Sequence, residues 1–188
     1  MENIMRPIYL KQVLSHLDRG VMLVLVGQRR VGKSILLKLL RQHLEDTIPD
    51  ANVIYINKEY KEFDPIKDSD SLYKYVDERL APQKCNYLLI DEVQDVDEYE
   101  LALRSLNAED KCQIVATGSN AYIFSSELST KLVGRYVEIP IHSLTYREFL
   151  TLHRLPDSQE SLLTYLKVGG CRVCHGMTSK TWTPSRII

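Results

Sequence analysis

Short apolar runs and helically spaced apolar residues alternate along this chain. Runs rich in β-branched residues predict strands, and apolar residues three and four positions apart predict amphipathic helices. The five predicted strands cover residues 21–26, 52–59, 85–94, 113–120 and 136–141, and the predicted helices cover residues 6–18, 34–46, 69–80, 97–107, 145–155 and 158–167. Strands alternating with helices favour a mostly parallel five-stranded sheet covered on both faces, an α/β three-layer sandwich.

Polar segments follow three of the predicted strands. They are GQRRVGKS at residues 27–34, DEVQ at 91–94 and TGSN at 117–120. In open parallel sheets, ligands bind outside the carboxyl ends of the strands. We therefore expect the three segments to meet at one edge of the domain.

The segment GQRRVGKS matches the phosphate-loop pattern G-x-x-x-x-G-K-[ST] at every fixed position. Two glycines let such a loop turn its N–H groups toward phosphate, and the following helix adds its positive N-terminal end. The pattern predicts a nucleoside triphosphate with Mg²⁺; a plain glycine turn is the alternative. The lysine would contact the β- and γ-phosphates and the serine hydroxyl would ligate the metal. The predicted nucleotide-binding residues are Gly27, Gln28, Arg29, Arg30, Val31, Gly32, Lys33, Ser34 and Ile35.

A second nucleotide motif follows the third predicted strand. The sequence YLLIDEVQD places Asp91 and Glu92 directly after four apolar residues. Asp91 is predicted to hold Mg²⁺, largely through its water shell, and Glu92 to orient and polarise the attacking water. An ordinary polar strand end is the alternative, and the phosphate loop at suitable spacing favours the nucleotide role.

Three further residues are catalytic candidates. Ser119 and Asn120 follow the fourth strand and would sense the γ-phosphate or position water; Thr117 could serve instead, and a polar helix cap explains the segment about equally well. Arg135 follows a glycine just before the fifth strand. An arginine supplied in cis or by a neighbouring subunit stabilises transition-state charge in many triphosphatases, whereas a surface arginine is the alternative.

Composition narrows the class of protein. The chain has 188 residues, 44% hydrophobic and 26% charged, which is typical of one globular domain. Its net charge of −1 gives no support to nucleic-acid or membrane binding. The N-terminus lacks a secretory signal and no apolar run reaches the ~18 residues that span a bilayer, so a cytoplasmic location with reduced cysteines is expected.

Together, GQRRVGKS, LLIDEVQ, TGSNAYIFSSELSTKLVGRYVEIPIHSLTYREFL and YLKVGG resemble a prokaryotic AAA+-like P-loop ATPase family across residues 5–170. The resemblance implies the sheet order 5-1-4-3-2, with the sensor strand between the phosphate-loop and acidic strands. It also implies ATP hydrolysis coupled to an unknown conformational task. Family members usually carry a C-terminal domain of unknown function, so that missing domain or an unknown protein partner is expected, and an oligomer is compatible. By the matching motifs, the inherited roles fall on Lys33, Ser34, Asp91, Glu92, Ser119, Asn120 and Arg135.

The C-terminal residues 171–188 lose the apolar periodicity of the preceding chain. Their CRVCH segment matches a haem-attachment pattern, which we reject because no export signal is present, and a zinc site would lack a second ligand pair. A shifted reading frame is the third hypothesis, since codons for this tail read one base earlier can encode GGMPG, a continuation typical of the family. We expect an ATPase domain at residues 1–170 and an aberrant, disordered tail at 171–188.

Two other functions compete with a Mg²⁺-dependent ATPase. DEVQD resembles the acidic motif of one helicase superfamily, but Val31 stands where that group carries a further glycine, and the chain is too short for two motor domains. A non-catalytic nucleotide-binding regulatory scaffold is the other alternative, and the presence of Glu92 argues against it.

Overall fold

The computed structural model describes residues 6–17, 19–118 and 135–168. The chain divides into two compact units, with the boundary between His142 and Ser143. The first unit holds the five described strands, β1 to β5, which are Met22–Val26, Ala51–Asn57, Cys85–Asp91, Gln113–Gly118 and Tyr136–Pro140. Its described α-helices, α1 to α4, are Pro7–Leu14, Lys33–Thr47, Ser69–Asp77 and Tyr99–Ala108, and short 3₁₀ turns lie at Lys61–Phe63 and Val93–Asp95.

The five strands form one parallel sheet in the order β2-β3-β4-β1-β5. This is the predicted order 5-1-4-3-2 read from the other edge, so the prediction is confirmed. The register places Val26 at the end of β1 beside Gly118 of β4 and Pro140 of β5. At the end of β2, Asn57 lies beside Asp91 of β3. The carboxyl ends of all five strands therefore share one edge.

The sheet buries both of its faces, which explains the continuous apolar runs in its strands. Along β1, Met22 and Val24 belong to the cluster that packs under α3 and α4. The alternate residues Leu23 and Leu25 belong to the cluster that packs under α1 and α2. This packing on both faces holds the sheet rigid, and the polar loops extend from the carboxyl ends of its strands.

Local sequence signals set several helix ends. Helix α3 begins after Asp68, whose carboxylate accepts a hydrogen bond from the Ser71 N–H at 2.9 Å in a capping box, as the predicted serine or aspartate cap requires. Helix α1 ends at Leu14, earlier than the predicted residue 18, and Gly20 follows with a φ of 71°. Among the described residues, every helix is too short or too polar to span a bilayer.

The second unit contains two described helices, α5 at Tyr146–His153 and α6 at Gln159–Val168. Both were predicted from the sequence. Phe149 of α5 is buried, and its ring packs edge-on against Tyr165 of α6 with 5.3 Å between centroids. The Tyr165 hydroxyl donates to the Leu144 carbonyl at 2.9 Å, which ties α6 to the start of the unit.

Candidate functional site

The loop between β1 and α2 has the backbone geometry that its glycines permit. Gly27 has a φ of 153° and Gly32 a φ of 103°, both in the region that favours glycine. A Cβ on Gly27 would also lie 2.2 Å from the Ile141 carbonyl oxygen. Glycine is therefore required at this position by the adjacent backbone at Ile141 as well as by the turn. Arg30, also in the loop, is exposed and has a φ of 70°.

Lys33 is the first residue of α2, and the residue is only 3% exposed. Its ammonium donates to the carbonyl oxygens of Gly27 at 2.8 Å and Gln28 at 2.9 Å. Desolvation lowers the pKa of Lys33, while the nearby carboxylates of Glu92 and Asp91 oppose that shift. A cation at a helix N-terminus is electrostatically unfavourable by itself. The arrangement suits an anion, which would be attracted by both the ammonium and the helix end.

The start of α2 also lacks the usual means of satisfying its first N–H groups. Gly32 is the N-cap, no side chain caps the helix, and the first turn carries no acidic residue. The first four N–H groups of a helix have no partner within the helix. Uncapped N–H groups of this kind, next to a glycine loop, have the chemistry that binds phosphate oxygens in other proteins.

Asp91, the last residue of β3, is fully buried. Its Oδ1 accepts a hydrogen bond from the Thr117 hydroxyl at 2.5 Å, and its Oδ2 accepts one from the Asn57 amide at 3.2 Å. Burial raises the pKa of Asp91, and hydrogen bonds from the hydroxyls of Thr117 and Ser34 oppose that shift. The two predicted metal ligands, Ser34 and Asp91, therefore lie close to each other.

Glu92 follows with a φ of 54°, in the left-handed region. Its backbone N–H donates to the Thr117 hydroxyl oxygen at 3.1 Å, and its Oε2 accepts from the Gln94 side-chain amide at 2.6 Å. Thr117 therefore connects the end of β4 to both acidic residues. The three polar strand ends meet at one edge, as the sequence predicts.

The remaining candidates have different outcomes. Ser119 and Asn120 lie outside the described residues, so their roles stay predictions. Arg135 is exposed, and its carbonyl accepts from the Met22 N–H at 2.9 Å. It therefore lies at the amino end of β1, and a strand of five residues, about 16 Å long, separates it from the phosphate loop. This placement does not support a role for Arg135 in its own chain's site and leaves only the arrangement in which a neighbouring subunit receives it.

Three residues that the sequence analysis did not select contribute to the site. Asn57 contacts Asp91, and the rule about strand ends, applied to β2, would have found it. Gln94 lies inside the acidic motif itself. Arg6, which no sequence signal marks, is 7% exposed and donates to the His142 carbonyl at 2.8 Å and to the Val31 carbonyl of the phosphate loop at 3.4 Å.

Comparison with known sequences assigns this chain to a protein family. A sequence model of the family described as AAA domain matches residues 19–150. The chain belongs to the AAA domain family. This confirms the resemblance drawn from the motifs and supports a nucleotide-binding, ATPase-type module.

Relatives of this AAA domain are longer proteins. An uncharacterized protein of Haemophilus influenzae is 38% identical over 174 residues, which are 89% of this chain and 43% of that protein. An uncharacterized protein of Methanocaldococcus jannaschii is 33% identical over 128 residues, 68% of this chain and 27% of that protein. The chain therefore spans less than half the length of either relative.

Solved structures share the fold of the AAA domain. The ADP complex of Hsp104 from S. cerevisiae matches with a TM-score of 0.62 and 18% identity, covering 81% of this chain and 24% of that one. AMPPCP-bound DnaA from Aquifex aeolicus matches with a TM-score of 0.53 and 18% identity, covering 89% of this chain and 58% of that one. At these identities the likeness concerns the fold alone.

Proposed function

We propose that this AAA domain binds ATP and hydrolyses it with Mg²⁺. The observation that carries the proposal is the meeting of two opposite charge patterns at one sheet edge. Lys33 lies at the start of α2, directly after the β1 loop, and Asp91 and Glu92 lie at the carboxyl end of β3 in the same parallel sheet. A triphosphate bound between them would contact the Lys33 ammonium through its phosphates, while the carboxylates would serve the metal ion and the attacking water.

The phosphates would lie in the loop formed by residues 27–35. The backbone N–H groups and the start of α2 would bind phosphate oxygens, since a helix N-terminus attracts anions. The Lys33 ammonium, now donating to loop carbonyls, would contact the β- and γ-phosphates as in other phosphate loops. The ammonium is partly buried, and reduced exposure to water would strengthen that interaction.

The oxygen donors at Ser34 and Asp91 fit Mg²⁺. This cation prefers hard oxygen ligands and keeps several waters, so one hydroxyl, one carboxylate and substrate phosphates are an ordinary set. Among the described residues, no group of three His, Cys, Asp or Glu side chains could form a protein-only cage. When bound, Mg²⁺ would neutralise charge that develops on the phosphates.

Glu92 is the residue that we assign to the attacking water. Its carboxylate would accept a proton as the water oxygen bonds to the γ-phosphorus and the bond to the β-phosphate bridging oxygen breaks, which yields ADP and phosphate. Asp91 and Thr117 would hold the acidic strand end in place through the hydrogen bonds described above. The conformational task coupled to hydrolysis would involve a partner protein or a further domain of the kind that the longer relatives have room for.

Three proteins test this proposal: wild type, Lys33→Ala and Glu92→Gln. ATP affinity is measured by calorimetry with Mg²⁺, and turnover by release of inorganic phosphate. We expect Lys33→Ala to lose both activities. Glu92→Gln should keep ATP affinity and lose about 10²-fold or more in turnover, the range of general-base catalysis.

Lys38→Ala is the matched control because Lys38 is an exposed lysine on the same helix. It should bind and hydrolyse ATP like wild type. Tight ATP binding by Lys33→Ala would contradict the loop assignment. Binding without hydrolysis in wild type would favour a non-catalytic nucleotide-binding scaffold instead.

A further inference from the structure

Glu92 is held at two points, one on its backbone and one on its side chain. The Thr117 hydroxyl oxygen accepts from its N–H at 3.1 Å, and the Gln94 amide donates to its Oε2 at 2.6 Å. The second contact is short for an amide donor, and a charged acceptor makes such a bond stronger than a neutral pair. The role of Gln94 is not explained by ATP or Mg²⁺ binding.

The chain geometry brings Gln94 back to Glu92 over only two residues. Glu92 takes a left-handed conformation, and the 3₁₀ turn Val93–Asp95 follows at once. The Val93 side chain is fully buried and anchors the turn in the core. The Asp95 N–H donates to the Glu92 carbonyl at 3.1 Å and closes the turn. The backbone conformation of this turn therefore brings the two side chains into contact.

We propose that Gln94 is a positioning residue that orients the Glu92 carboxylate for the attacking water. The inference rests on the proposed function of Glu92 as the base. With Oε2 held by the amide, Oε1 is the oxygen assigned to the water. In this role Gln94 acts through Glu92, to which its amide donates.

The physical reason for a glutamine here is that its amide donates without adding charge. A glutamate side chain is flexible, and fixing its rotamers before the reaction removes an entropic cost from the chemical step. A lysine or arginine would hold the carboxylate too, but its charge would pair with Glu92 and weaken its use as a base. A misplacement of about 1 Å at a reacting group can cost ~100-fold in rate.

The test measures kcat, ATP affinity and thermal stability for wild type, Gln94→Ala and Gln94→Glu, with Gln42→Ala as a control. Gln42 is exposed on α2, so this control removes a glutamine amide away from the site. We expect kcat to fall about 10- to 100-fold in Gln94→Ala, with ATP affinity and Tm close to wild type. Gln94→Glu should lose at least as much kcat, since it replaces the donor with a second carboxylate.

A double-mutant cycle shows whether Gln94 acts through Glu92. Because the base is already lost in Glu92→Gln, adding Gln94→Ala to it should change the residual rate by less than about twofold. An equal loss of kcat in both backgrounds would show an independent role and overturn the inference. A parallel loss of ATP affinity in Gln94→Ala would overturn it too, since Gln94 would then bind nucleotide.

Failure of this inference is distinguishable from failure of the proposed function. If wild type hydrolyses ATP, Glu92→Gln does not, and Gln94→Ala matches wild type, then the inference alone is wrong. If wild type releases no phosphate under these conditions, both the proposed function and the positioning role are rejected.

Discussion

Replacing Arg6 with alanine is expected to destabilise the first unit and to remove a hydrogen bond to the phosphate loop. The Arg6 guanidinium connects the start of α1 to two places, the His142 carbonyl after β5 and the Val31 carbonyl of the loop. It also lies 4.4 Å from the centroid of the Tyr9 ring. The Tyr9 hydroxyl in turn accepts from the His142 N–H at 3.2 Å. Alanine would remove the guanidinium from this set of contacts.

The magnitude follows from the separate contacts. The 2.8 Å hydrogen bond from a charged donor is worth about 1.5–3 kcal/mol, whereas the 3.4 Å bond adds little. The cation–π contact between buried Arg6 and the partly buried Tyr9 ring adds ~0.5–2 kcal/mol. We expect Arg6→Ala to lower the free energy of unfolding by about 3 kcal/mol, which corresponds to about 6–12 °C in Tm for a domain of this size.

Urea unfolding and thermal melts of wild type, Arg6→Ala, Arg6→Lys and Arg104→Ala provide the assay. Arg104 is exposed on α4 and should change stability by less than about 0.5 kcal/mol. Arg6→Lys keeps a cation but not the guanidinium fork, so it should fall between wild type and alanine. ATP affinity should fall only slightly in Arg6→Ala, because the bond to the Val31 carbonyl is long and weak. A stability loss below about 1 kcal/mol would refute this reasoning.

Two other predictions use contrasts within the chain. Gly27→Ala should lose ATP affinity because its Cβ would lie 2.2 Å from the Ile141 carbonyl oxygen. Gly20→Ala is also at positive φ, but no atom lies within 4 Å of its Cβ, so this variant should keep that affinity. Equal ATP affinities in calorimetric titrations of the two variants would contradict the steric argument. In native protein at pH 8, iodoacetamide should modify exposed Cys85 much faster than buried Cys112, because burial raises the pKa of the Cys112 thiol to about 12. Peptide mass spectrometry measures both rates, and comparable labelling would show that Cys112 is accessible.

Much of the site was predictable because its signals are local in sequence. The loop from Gly27 to Ser34 and the acidic pair Asp91–Glu92 are each contiguous, and strand direction alone places them at the same edge. The error in helix α1, which ends at Leu14 instead of residue 18, came from following apolar spacing past the point where the backbone leaves the helix. Helix boundaries carry less sequence information than strand interiors do.

Contacts between distant residues could not be read in the same way. Arg6 and His142 are 136 positions apart, and Asn57 and Asp91 are 34 apart, so only the packed sheet brings each pair together. Arg135 shows the reverse case. Its position after a glycine suggested a catalytic arginine, but the parallel pairing of β5 with β1 places it at the amino edge of the sheet.

By itself, the sequence indicated a nucleotide-binding module and the strand-and-helix alternation, because a glycine loop, a lysine and a carboxylate pair are each encoded in short stretches of backbone. Tertiary structure alone decided which side chains support that chemistry. Thr117 and Asn57 reach Asp91 because their strands flank β3 in the sheet. The physical reason is that hydrogen bonds act over about 3 Å, and only the folded sheet brings such separated residues within that distance.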